Sequence, residues 1–324
     1  MTRLTFEELS EEAARYDEAV LATPAIDHFC SSSLWTLPAT QHFSPASRPF
    51  IVRSQNTYLT LARTRYNDGT RLVHPLEAMW ALASPLAGAH PEELVELLAS
   101  SLTDDDSWDI ALVSGIGGGS ELWQKLVPVL SRRFSLSRGP APRRYIAGLA
   151  SGVDGFLVNR STGFRKNLRK AEKRARGAGL LFEIANHCEA SEVDPSFDRL
   201  LAIERKSWKG QRGVGIDGDP MGSFYREMNR RLVERGARRL LFATLDGADV
   251  AYIFGGLFGD TYRGLQFSFD HRYAALSLGN LSQLEQIRHL CNEGIPNYDL
   301  GTEVRYKKRW GDRVFTTSSF FVQA

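Results

Sequence analysis

The sequence contains few cysteines and histidines, and neither residue type forms a pattern typical of a structural disulfide or a bound metal. Its three cysteines, Cys30, Cys188 and Cys291, are far apart and form no CxxC pair. An odd, scattered set argues against a disulfide framework and a zinc site and favours a reducing compartment. The seven histidines form no HxxxH or HExxH pattern, so we predict that the protein uses no catalytic metal.

Long apolar runs are also lacking. No segment approaches the roughly 20 consecutive apolar residues that a membrane-spanning helix needs. The N-terminal segment 1–12 is acidic and amphipathic and has no apolar core of the kind found in secretory signals. We therefore expect a cytoplasmic protein, with a peripheral position at the inner membrane face as the alternative. The formal net charge is only +2, so any basic binding site must be a local feature.

The chain is too long for one ordinary hydrophobic core, because single cores stop growing at about 250–300 residues and this chain has 324. We expect two domains, residues 1–142 and 143–324, joined at the stretch Arg138–Pro142, which is rich in proline and glycine. Both parts repeat the order hairpin, helix and strand, without residue identity. The segments are Tyr58–Tyr66, Pro91–Leu102 and Trp108–Val113 in the first part, and Thr261–Phe269, Leu281–Cys291 and Asn297–Leu300 in the second.

The most informative stretch lies near the end of the chain. Two apolar runs, Val250–Phe258 and Thr261–Phe269, flank Gly259-Asp260 and predict an antiparallel hairpin. An amphipathic helix that includes Leu281 follows, and then a short strand, Asn297–Gly301. Because the N-terminus of a helix beside a strand end presents unpaired N–H groups, this arrangement suits a phosphate or carbonyl oxygen of a thioester carrier.

A strongly basic helix is the second prominent feature. Residues 160–176 include eight basic residues and a single acid, Glu172. An apolar stripe from Phe164 to Ala175 at helical spacing predicts that the helix packs along this stripe and turns its charges outward. The charges then either bind carrier phosphates, an anionic lipid headgroup or tRNA, or form a solvated basic face. The candidate substrate-binding residues of this helix are Arg165, Lys166 and Arg169.

Six short segments match one family in order and spacing. They are Ser161-x-x-Phe-Arg-Lys-Asn-Leu-Arg-Lys170, Glu204-x-x-Ser-Trp-Lys-Gly210, Ala251-Tyr-Ile-Phe-Gly, Ser277-Leu-Gly279, Tyr298-Asp-Leu-Gly301 and Tyr306-Lys-x-x-Trp-Gly311. Segment 160–311 thus resembles the CelD-like and FemAB-like branch of the GNAT acyltransferase superfamily, and the first half resembles its degenerate partner domain. The resemblance implies an α/β (α+β) fold of tandem GNAT-like halves, each a mixed, mostly antiparallel sheet flanked by helices. It also implies transfer of an acyl or aminoacyl group to an amine.

The expected carrier site departs from the pattern of acetyl-CoA enzymes, which usually have a basic, glycine-rich pyrophosphate loop. Here the stretch Tyr273–Leu281 contains one glycine and no basic residue. The carrier is therefore either acyl-CoA held mainly by helix N–H groups, an acyl-carrier protein, or a charged tRNA. The lack of a sustained heptad run, which many tRNA-dependent relatives have in a coiled-coil insertion, favours the thioester. The candidate carrier-binding residues are Ser277, Leu278, Gly279 and Asn280.

Acyl transfer to an amine needs a neutral amine, a stabilised carbonyl oxygen and a protonated leaving group. Side chains predicted at strand ends near the same helix are the candidates for proton transfer. They are Asp270, His271, Tyr273, Asp299 and Glu303. The alternatives are an exposed imidazole for His271 and a turn-forming or substrate-binding role for Asp299.

Two further candidates lie on either side of this region. The resemblance assigns substrate contact and stabilisation of developing charge to Lys307. Trp208 opens a glycine-rich stretch that ends at Asp219, which is either a flexible lid over the acceptor or a solvent loop.

These features predict an N-acyltransferase that moves an acyl group from acyl-CoA or an acyl-carrier thioester to an amine of a cell-envelope lipid or saccharide precursor. One alternative is a FemAB-like transferase that depends on aminoacyl-tRNA and forms peptide bonds. The other is a non-catalytic module that binds RNA or an anionic membrane. Affinity that falls steeply with salt would indicate this module, and loss of activity after ribonuclease treatment would indicate the tRNA-dependent enzyme.

Overall fold

The computed structural model describes residues 1–105 and 107–323, and the chain divides into two compact units. Unit 1 comprises Met1–Arg143 together with the residues from Phe315 onward, and unit 2 comprises Arg144–Val314. From the sequence we expected the C-terminal residues to belong to the second domain. They instead lie in unit 1, because Phe320 and Val322 are buried there and the Phe320 ring contacts Trp123.

Both units contain strands and helices. The strands are β1 (Thr2–Leu4), β2 (Arg48–Ser54), β3 (Thr57–Arg65), β4 (Arg71–Pro75), β5 (Leu86–Ala87), β6 (Ile110–Gly117), β7 (Ser135–Arg138), β8 (Arg143–Gly148), β9 (Leu181–Ile184), β10 (Arg238–Leu245), β11 (Ala248–Phe258), β12 (Thr261–Phe269), β13 (Asn297–Thr302) and β14 (Arg313–Gln323). The helices are α1 (Phe6–Glu11), α2 (Ala13–Ala22), α3 (His28–Ser31), α4 (Ser33–Phe43), α5 (Pro91–Thr103), α6 (Glu121–Ser131), α7 (Gly152–Val158), α8 (Thr162–Gly177), α9 (Val193–Lys206), α10 (Trp208–Gln211), α11 (Met221–Glu234) and α12 (Leu278–Asn292).

The sheet of unit 1 runs β1-β2-β3-β4-β6-β14, with β5 paired to β3 and β7 to β14. The pairs are antiparallel except that of β4 and β6, which is parallel and is connected through α5. The turn between β3 and β4 lies at Asn67-Asp68-Gly69, where Gly69 has a positive φ of 93°. Residues 31–33 are all serine, yet Ser31 ends α3 and Ser33 begins α4, because burial among apolar neighbours outweighs the low helix propensity of serine and of Pro38.

The sheet of unit 2 runs β8-β13-β12-β11-β10-β9. Its pairs are antiparallel except that of β12 and β13, which is parallel and is connected through α12. The predicted hairpin, helix and strand from Val250 onward are confirmed as β11, β12, α12 and β13. Helices α8 and α12 cover one face of the sheet through Leu168, Ala171 and Leu281, and α9 covers the other, where Phe197 contacts Phe254.

Each unit is thus a mixed, mostly antiparallel sheet flanked by helices, which confirms the predicted fold class. Both units contain one parallel pair joined by a crossover helix. From the sequence we expected Tyr58–Tyr66 of the first half to correspond to Thr261–Phe269 of the second, but the strand of unit 1 with the matching parallel partner is β4. In the part of the chain that the structure describes, no helix has both the length and the hydropathy that crossing a bilayer requires.

Candidate active site

The parallel strands of unit 2 pair only at their beginnings. Three residue pairs join β12 to β13: Thr261 with Asn297, Tyr262 with Tyr298 and Arg263 with Asp299. Within the described ranges the pairing ends there. The strand β12 continues to Phe269 and β13 to Thr302. Beyond these pairs the backbone groups of the two strands do not bond each other in the described part of the chain, and some of them bond side chains instead, such as the N–H of Gly301, which donates to Asp299.

Helix α12 begins close to the sheet. A 3₁₀ segment, His271–Leu276, leads to Ser277, whose positive φ of 60° turns the chain into the helix. Gly279 permits the close approach, because a Cβ atom there would lie 3.1 Å from the Phe267 ring and 3.4 Å from Phe269. Ser277 makes no side-chain cap. Asn280 and Leu281 donate their N–H groups to the carbonyl of Ser277, so the N–H groups of Leu278 and Gly279 are the candidates for binding a ligand.

A cavity of about 740 Å³ opens at this end of α12. Ser277 and Asn280 line it, as the sequence analysis expected for the carrier site, whereas the side chain of Leu278 is fully buried in the core. Basic side chains from three parts of unit 2 also line the cavity. They are Arg160, Lys170, Arg174, Lys308 and Arg309. Cations and a helix N-terminus around one cavity together form an environment that suits phosphate groups.

The basic helix α8 has two distinct faces. Ser161 caps its start by accepting the N–H of Phe164, and on the inner face Glu172 binds Arg288 of α12 at 2.5 Å. The predicted substrate-binding residues of this helix line a separate surface groove of about 510 Å³ instead of the cavity. These are Arg165, Lys166 and Arg169, with Lys170 lining both the groove and the cavity.

Asp299 lies inside a buried ion cluster. Its Oδ2 atom accepts hydrogen bonds from Arg144 and, at 2.7 Å, from Arg263 Nη1, and its Oδ1 atom accepts the N–H of Gly301 at 2.8 Å. Burial opposes ionisation, but the two guanidinium groups keep the pKa of Asp299 below its ordinary value. From the sequence we expected Asp299 to act as a base, to contact the substrate or to form a turn. The contacts fit the turn-forming alternative, because the carboxylate is only 5% exposed and each oxygen already accepts hydrogen bonds.

The carboxylate of Asp270 is also bound by a neighbouring side chain. Its carboxylate is held by Arg272, with Nη2 at 2.6 Å from Oδ2, and it accepts the backbone N–H of the same residue. The arginine lowers the pKa of Asp270, which makes this carboxylate a weak base. His271 is exposed and Tyr273 is half-buried on the 3₁₀ segment that precedes α12, and the Arg272 guanidinium lies 5.7 Å from the centre of the Tyr273 ring.

Lys307 lies at the end of β13, close to the ion cluster. Its Nζ atom donates to the carbonyl of Thr302 at 3.0 Å and faces Gly301, where a Cβ atom would lie 3.2 Å away. Burial lowers the pKa of Lys307 to about 8, with a further contribution from Arg263 and an opposing one from Asp299. Glu303 is exposed nearby in sequence and accepts a hydrogen bond from Tyr145 Oη at 2.7 Å.

A buried polar network on the opposite face of the sheet was not among the sequence-predicted site residues. Glu204 is fully buried; it accepts from Tyr252 Oη at 2.9 Å and forms an ion pair with Lys209 Nζ at 3.1 Å. Lys209 also donates to the side chain of Gln266 on β12 at 3.1 Å. Burial lowers the pKa of Lys209, although Glu204 opposes the shift. The segment Glu204-x-x-Ser-Trp-Lys was a usable signal, but spacing alone does not identify Tyr252 and Gln266 as partners.

Trp208, a predicted substrate-binding residue, lies beside this network. It is 50% exposed, and Arg212 lies 5.7 Å from the centre of its ring. The segment that it opens forms the short helix α10 and then the glycine-rich stretch that leads to α11. Trp208 thus lies at the surface, on the face of the sheet that does not carry α12.

Residues 162–309, which make up just under half of the chain, match the family model described as Acetyltransferase (GNAT) domain. Residues 162–309 of unit 2 are therefore similar to a GNAT domain, in agreement with the resemblance to this superfamily. No curated protein matches the chain by sequence.

Solved structures share the fold of the whole chain. FemX superposes with a TM-score of 0.68 at 13% identity, over 100% of this chain and 98% of that chain. The C-terminal domain of a putative lysylphosphatidylglycerol synthetase from Agrobacterium fabrum gives 0.60 at 13% identity, over 97% and 92%. A conserved protein of unknown function from Bacteroides thetaiotaomicron gives 0.61 at 11% identity, over 99% of both chains. At these identities the likeness concerns the fold alone.

Proposed function

We propose that unit 2 transfers an acyl group from a thioester donor, acyl-CoA or an acyl-carrier protein, to an amine of a cell-envelope lipid or saccharide precursor. The cavity at the N-terminus of α12 is the observation that carries this proposal. Its basic side chains and free helix N–H groups suit the phosphates of a donor that bears a pantetheine arm. The match of residues 162–309 to the GNAT domain supports the same class of reaction.

The separated ends of β12 and β13 support a position for the acyl group next to this cavity. Beyond Arg263 and Asp299 the two strands no longer pair, and Gly279 brings α12 against the same part of β12. Backbone N–H groups without a sheet partner can donate hydrogen bonds to a carbonyl oxygen as negative charge develops on it. A thioester bound there supplies an acyl carbon that is open to attack by an amine.

In the proposed reaction the acceptor nitrogen forms a bond to the acyl carbon, the carbon–sulfur bond breaks, and the thiol leaves with the proton that the amine loses. Lys307 in its ammonium form stabilises the developing negative charge, in agreement with its place at the end of β13. Glu303 accepts the amine proton and passes it on to the leaving thiolate; its carboxylate is exposed and is oriented by the hydrogen bond that it accepts from Tyr145 Oη at 2.7 Å. Asp270 takes no part in proton transfer, because Arg272 holds its carboxylate.

Titration calorimetry with CoA and acyl-CoAs of different chain lengths tests the donor site. The variant Lys308→Glu with Arg309→Glu reverses two charges at the cavity, and we expect the donor to bind at least about tenfold more weakly. The matched control, Arg48→Glu with Arg138→Glu, reverses two exposed charges of unit 1 and leaves the affinity unchanged. Equal affinity in all three proteins would contradict the assignment of the cavity.

Charged tRNA is the alternative donor, and one observation favours it. The stretch Tyr273–Leu281, which forms the approach to α12, contains no basic residue of the kind that pyrophosphate loops of acetyl-CoA enzymes carry. An aminoacyl donor would still need the free N–H groups of α12 but not a bound pyrophosphate. Transfer activity that requires aminoacyl-tRNA and is lost after ribonuclease treatment would establish this alternative and exclude the thioester.

A further inference from the structure

The outer face of α8 is a continuous row of cations. Its five basic residues recur at intervals of one and three to four residues, which places them on one side of the helix. They are Arg165, Lys166, Arg169, Lys170 and Lys173, and together with Thr162 they line one surface groove. The apolar residues of the helix point the other way, into the core. The row is therefore a surface feature that no packing requirement of unit 2 explains.

None of these five side chains forms an ion pair with an acid in residues 1–105 and 107–323. This separates them from other basic side chains of the same unit. On α11, for example, Arg226 binds Asp198 at 2.6 Å and Arg230 binds Asp194 at 2.7 Å. Unpaired charges of one sign at this density repel one another, so an anionic partner that covers them lowers the free energy of the folded protein.

The loop Val304–Arg309 extends this surface around the opening of the cavity. Lys308 and Arg309 line the same cavity as Lys170, which brings the loop next to α8. The loop also exposes apolar groups: Val304 is 47% exposed and Tyr306 is 38% exposed. Cations and exposed apolar side chains thus occur side by side at one opening.

We propose that this surface, which we term the basic rim and define as the outer face of α8 (Arg165, Lys166, Arg169, Lys170 and Lys173) with the loop Val304–Arg309, docks on an anionic lipid bilayer. The cations would contact negatively charged headgroups, and Val304 would enter the interfacial region. Docking in this way places the opening of the cavity at the membrane surface. This inference rests on the proposed function, because it takes the acceptor that enters the cavity to be part of a membrane lipid.

The composition of the rim favours a bilayer over a nucleic acid. Surfaces that bind single-stranded nucleic acid combine cations with exposed aromatic rings on which bases stack. The one aromatic residue of α8, Phe164, packs inward against Trp310 with ring centres 5.0 Å apart. Tyr306 packs edge-on against Phe267 at 5.7 Å, and the most exposed apolar side chain of the loop is the aliphatic Val304.

Vesicle flotation with the full chain tests the proposal. We expect the protein to float with vesicles of phosphatidylcholine mixed with phosphatidylglycerol, to stay behind with phosphatidylcholine alone, and to dissociate as salt screens the charges. Lys166→Glu with Lys173→Glu, two positions outside the cavity, lowers the partition coefficient by about 30-fold or more, since each basic residue near such a surface contributes about fivefold. The variant Arg48→Glu with Arg138→Glu, which has the same net charge, binds as the wild type does.

A variant at Val304 tests how much the exposed apolar side chain of the basic rim contributes to docking. Val304→Ser lowers the partition coefficient by about fivefold, because the interface gains less from burying a serine. Val214→Ser is its control: Val214 is 61% exposed but lies in the glycine-rich stretch of residues 209–219, outside the rim. Equal vesicle binding by wild type and both rim variants would overturn the proposal, as would tight, salt-sensitive binding to tRNA with no binding to vesicles.

Donor binding in solution separates this inference from the proposed function. Lys166→Glu with Lys173→Glu should bind CoA as the wild type does in the absence of lipid. If the protein binds anionic vesicles but neither CoA nor acyl-CoA, the proposed function is refuted and the docking proposal still stands. A protein that binds the donor but floats with no vesicle refutes the docking surface alone.

Discussion

Unit 1 and unit 2 contain the same connection, a parallel strand pair joined by a crossover helix, but different residues surround the start of that helix in the two units. In unit 1 the pair is β4 and β6 with α5 between them, and in unit 2 it is β12 and β13 with α12. In both units the parallel pairing is short. The difference between the units therefore lies in what occupies the space beside the strand ends.

In unit 1 the chain fills this space itself. Leu82 and Ala83 are buried against β6, where the carbonyl of Ala83 accepts a hydrogen bond from Ser114 Oγ at 2.8 Å. A Cβ atom at Gly115 would lie only 2.3 Å from the backbone of Ala83. The carboxylate of Glu77 fixes the segment by accepting the N–H groups of Trp80, Leu82 and Ala83. In unit 2 the end of the corresponding helix opens onto the cavity.

The helix starts differ in charge as well. Pro91, Glu92 and Glu93 form the start of α5, so its own acids neutralise the positive end of the helix dipole. The first turn of α12 has no acid, and cations surround it. The start of the helix in this connection is thus either closed by the chain's own residues and acids or left open among cations, depending on a few residues between the strand and the helix.

The largest effect is expected at the buried carboxylate of unit 2. Asp299→Ala leaves Arg144 and Arg263 buried without this counterion, and we expect it to lower the free energy of unfolding by about 3–5 kcal/mol. Urea denaturation measures this, with Asp260→Ala at an exposed turn as the control. Because the pKa of Asp299 is lowered, its contribution is present at neutral pH and is lost as the pH falls below about 4. Asp299→Ala with wild-type stability would contradict the described cluster.

Lys307→Met is expected to lower kcat by about 10²–10³, the usual effect of losing one group that stabilises a developing oxyanion. Because burial lowers the pKa of Lys307 to about 8, the wild-type kcat should fall as the pH rises through that value, where the ammonium form is lost. Lys307→Arg keeps the charge and should move this decline to higher pH. A decline near pH 8 that persists in Lys307→Met would assign it to a different group.

In unit 1 the comparable test is Glu77→Ala, which leaves the N–H groups of Trp80, Leu82 and Ala83 without their acceptor. We expect a loss of about 2–3 kcal/mol in the free energy of unfolding, because buried donors without partners are costly. Glu77→Gln retains one acceptor oxygen and should lose less. If Glu77→Ala and Glu77→Gln have the same free energy of unfolding, the segment is held by apolar packing rather than by the carboxylate.

The smallest effect is expected from making the start of α12 resemble that of α5. Asn280→Glu introduces an acid at the cavity and should weaken CoA binding by about tenfold, because the acid competes with donor phosphates for the helix end and repels them. Asn280→Gln, which has the same size without the charge, is the control. Calorimetry that finds equal affinities for both would show that the helix end is not the phosphate site.

The regular elements of unit 2 could be predicted because they depend on local patterns. The apolar runs around Gly259-Asp260 and the stripe that begins at Phe164 correspond to β11, β12 and α8. The sites of charge pairing could not be predicted in this way. Asp299 and Arg144 are 155 positions apart in sequence, and only the pairing of β13 with β8 brings them together.

Local composition also predicted functions that the neighbours change. Asp270 beside His271 suggested proton transfer, but Arg272 turns back to bind the same carboxylate. Arg165 and Lys166 belong to the same basic helix as Arg174, yet they line the outer groove while Arg174 lines the cavity. A helix repeats every 3.6 residues, so neighbours in sequence point in different directions, and the sheet that packs against the helix selects which of them face inward.

The sequence by itself determined the order of hairpin, helix and strand in unit 2, the basic helix and the position at which α12 begins, since these follow from periodicity, turn residues and local charge. Only the tertiary structure decided that one helix start is closed by the chain's own residues and the other is open. That outcome depends on which distant segments fill the space beside each strand pair, and close packing between segments far apart in sequence leaves no local signal.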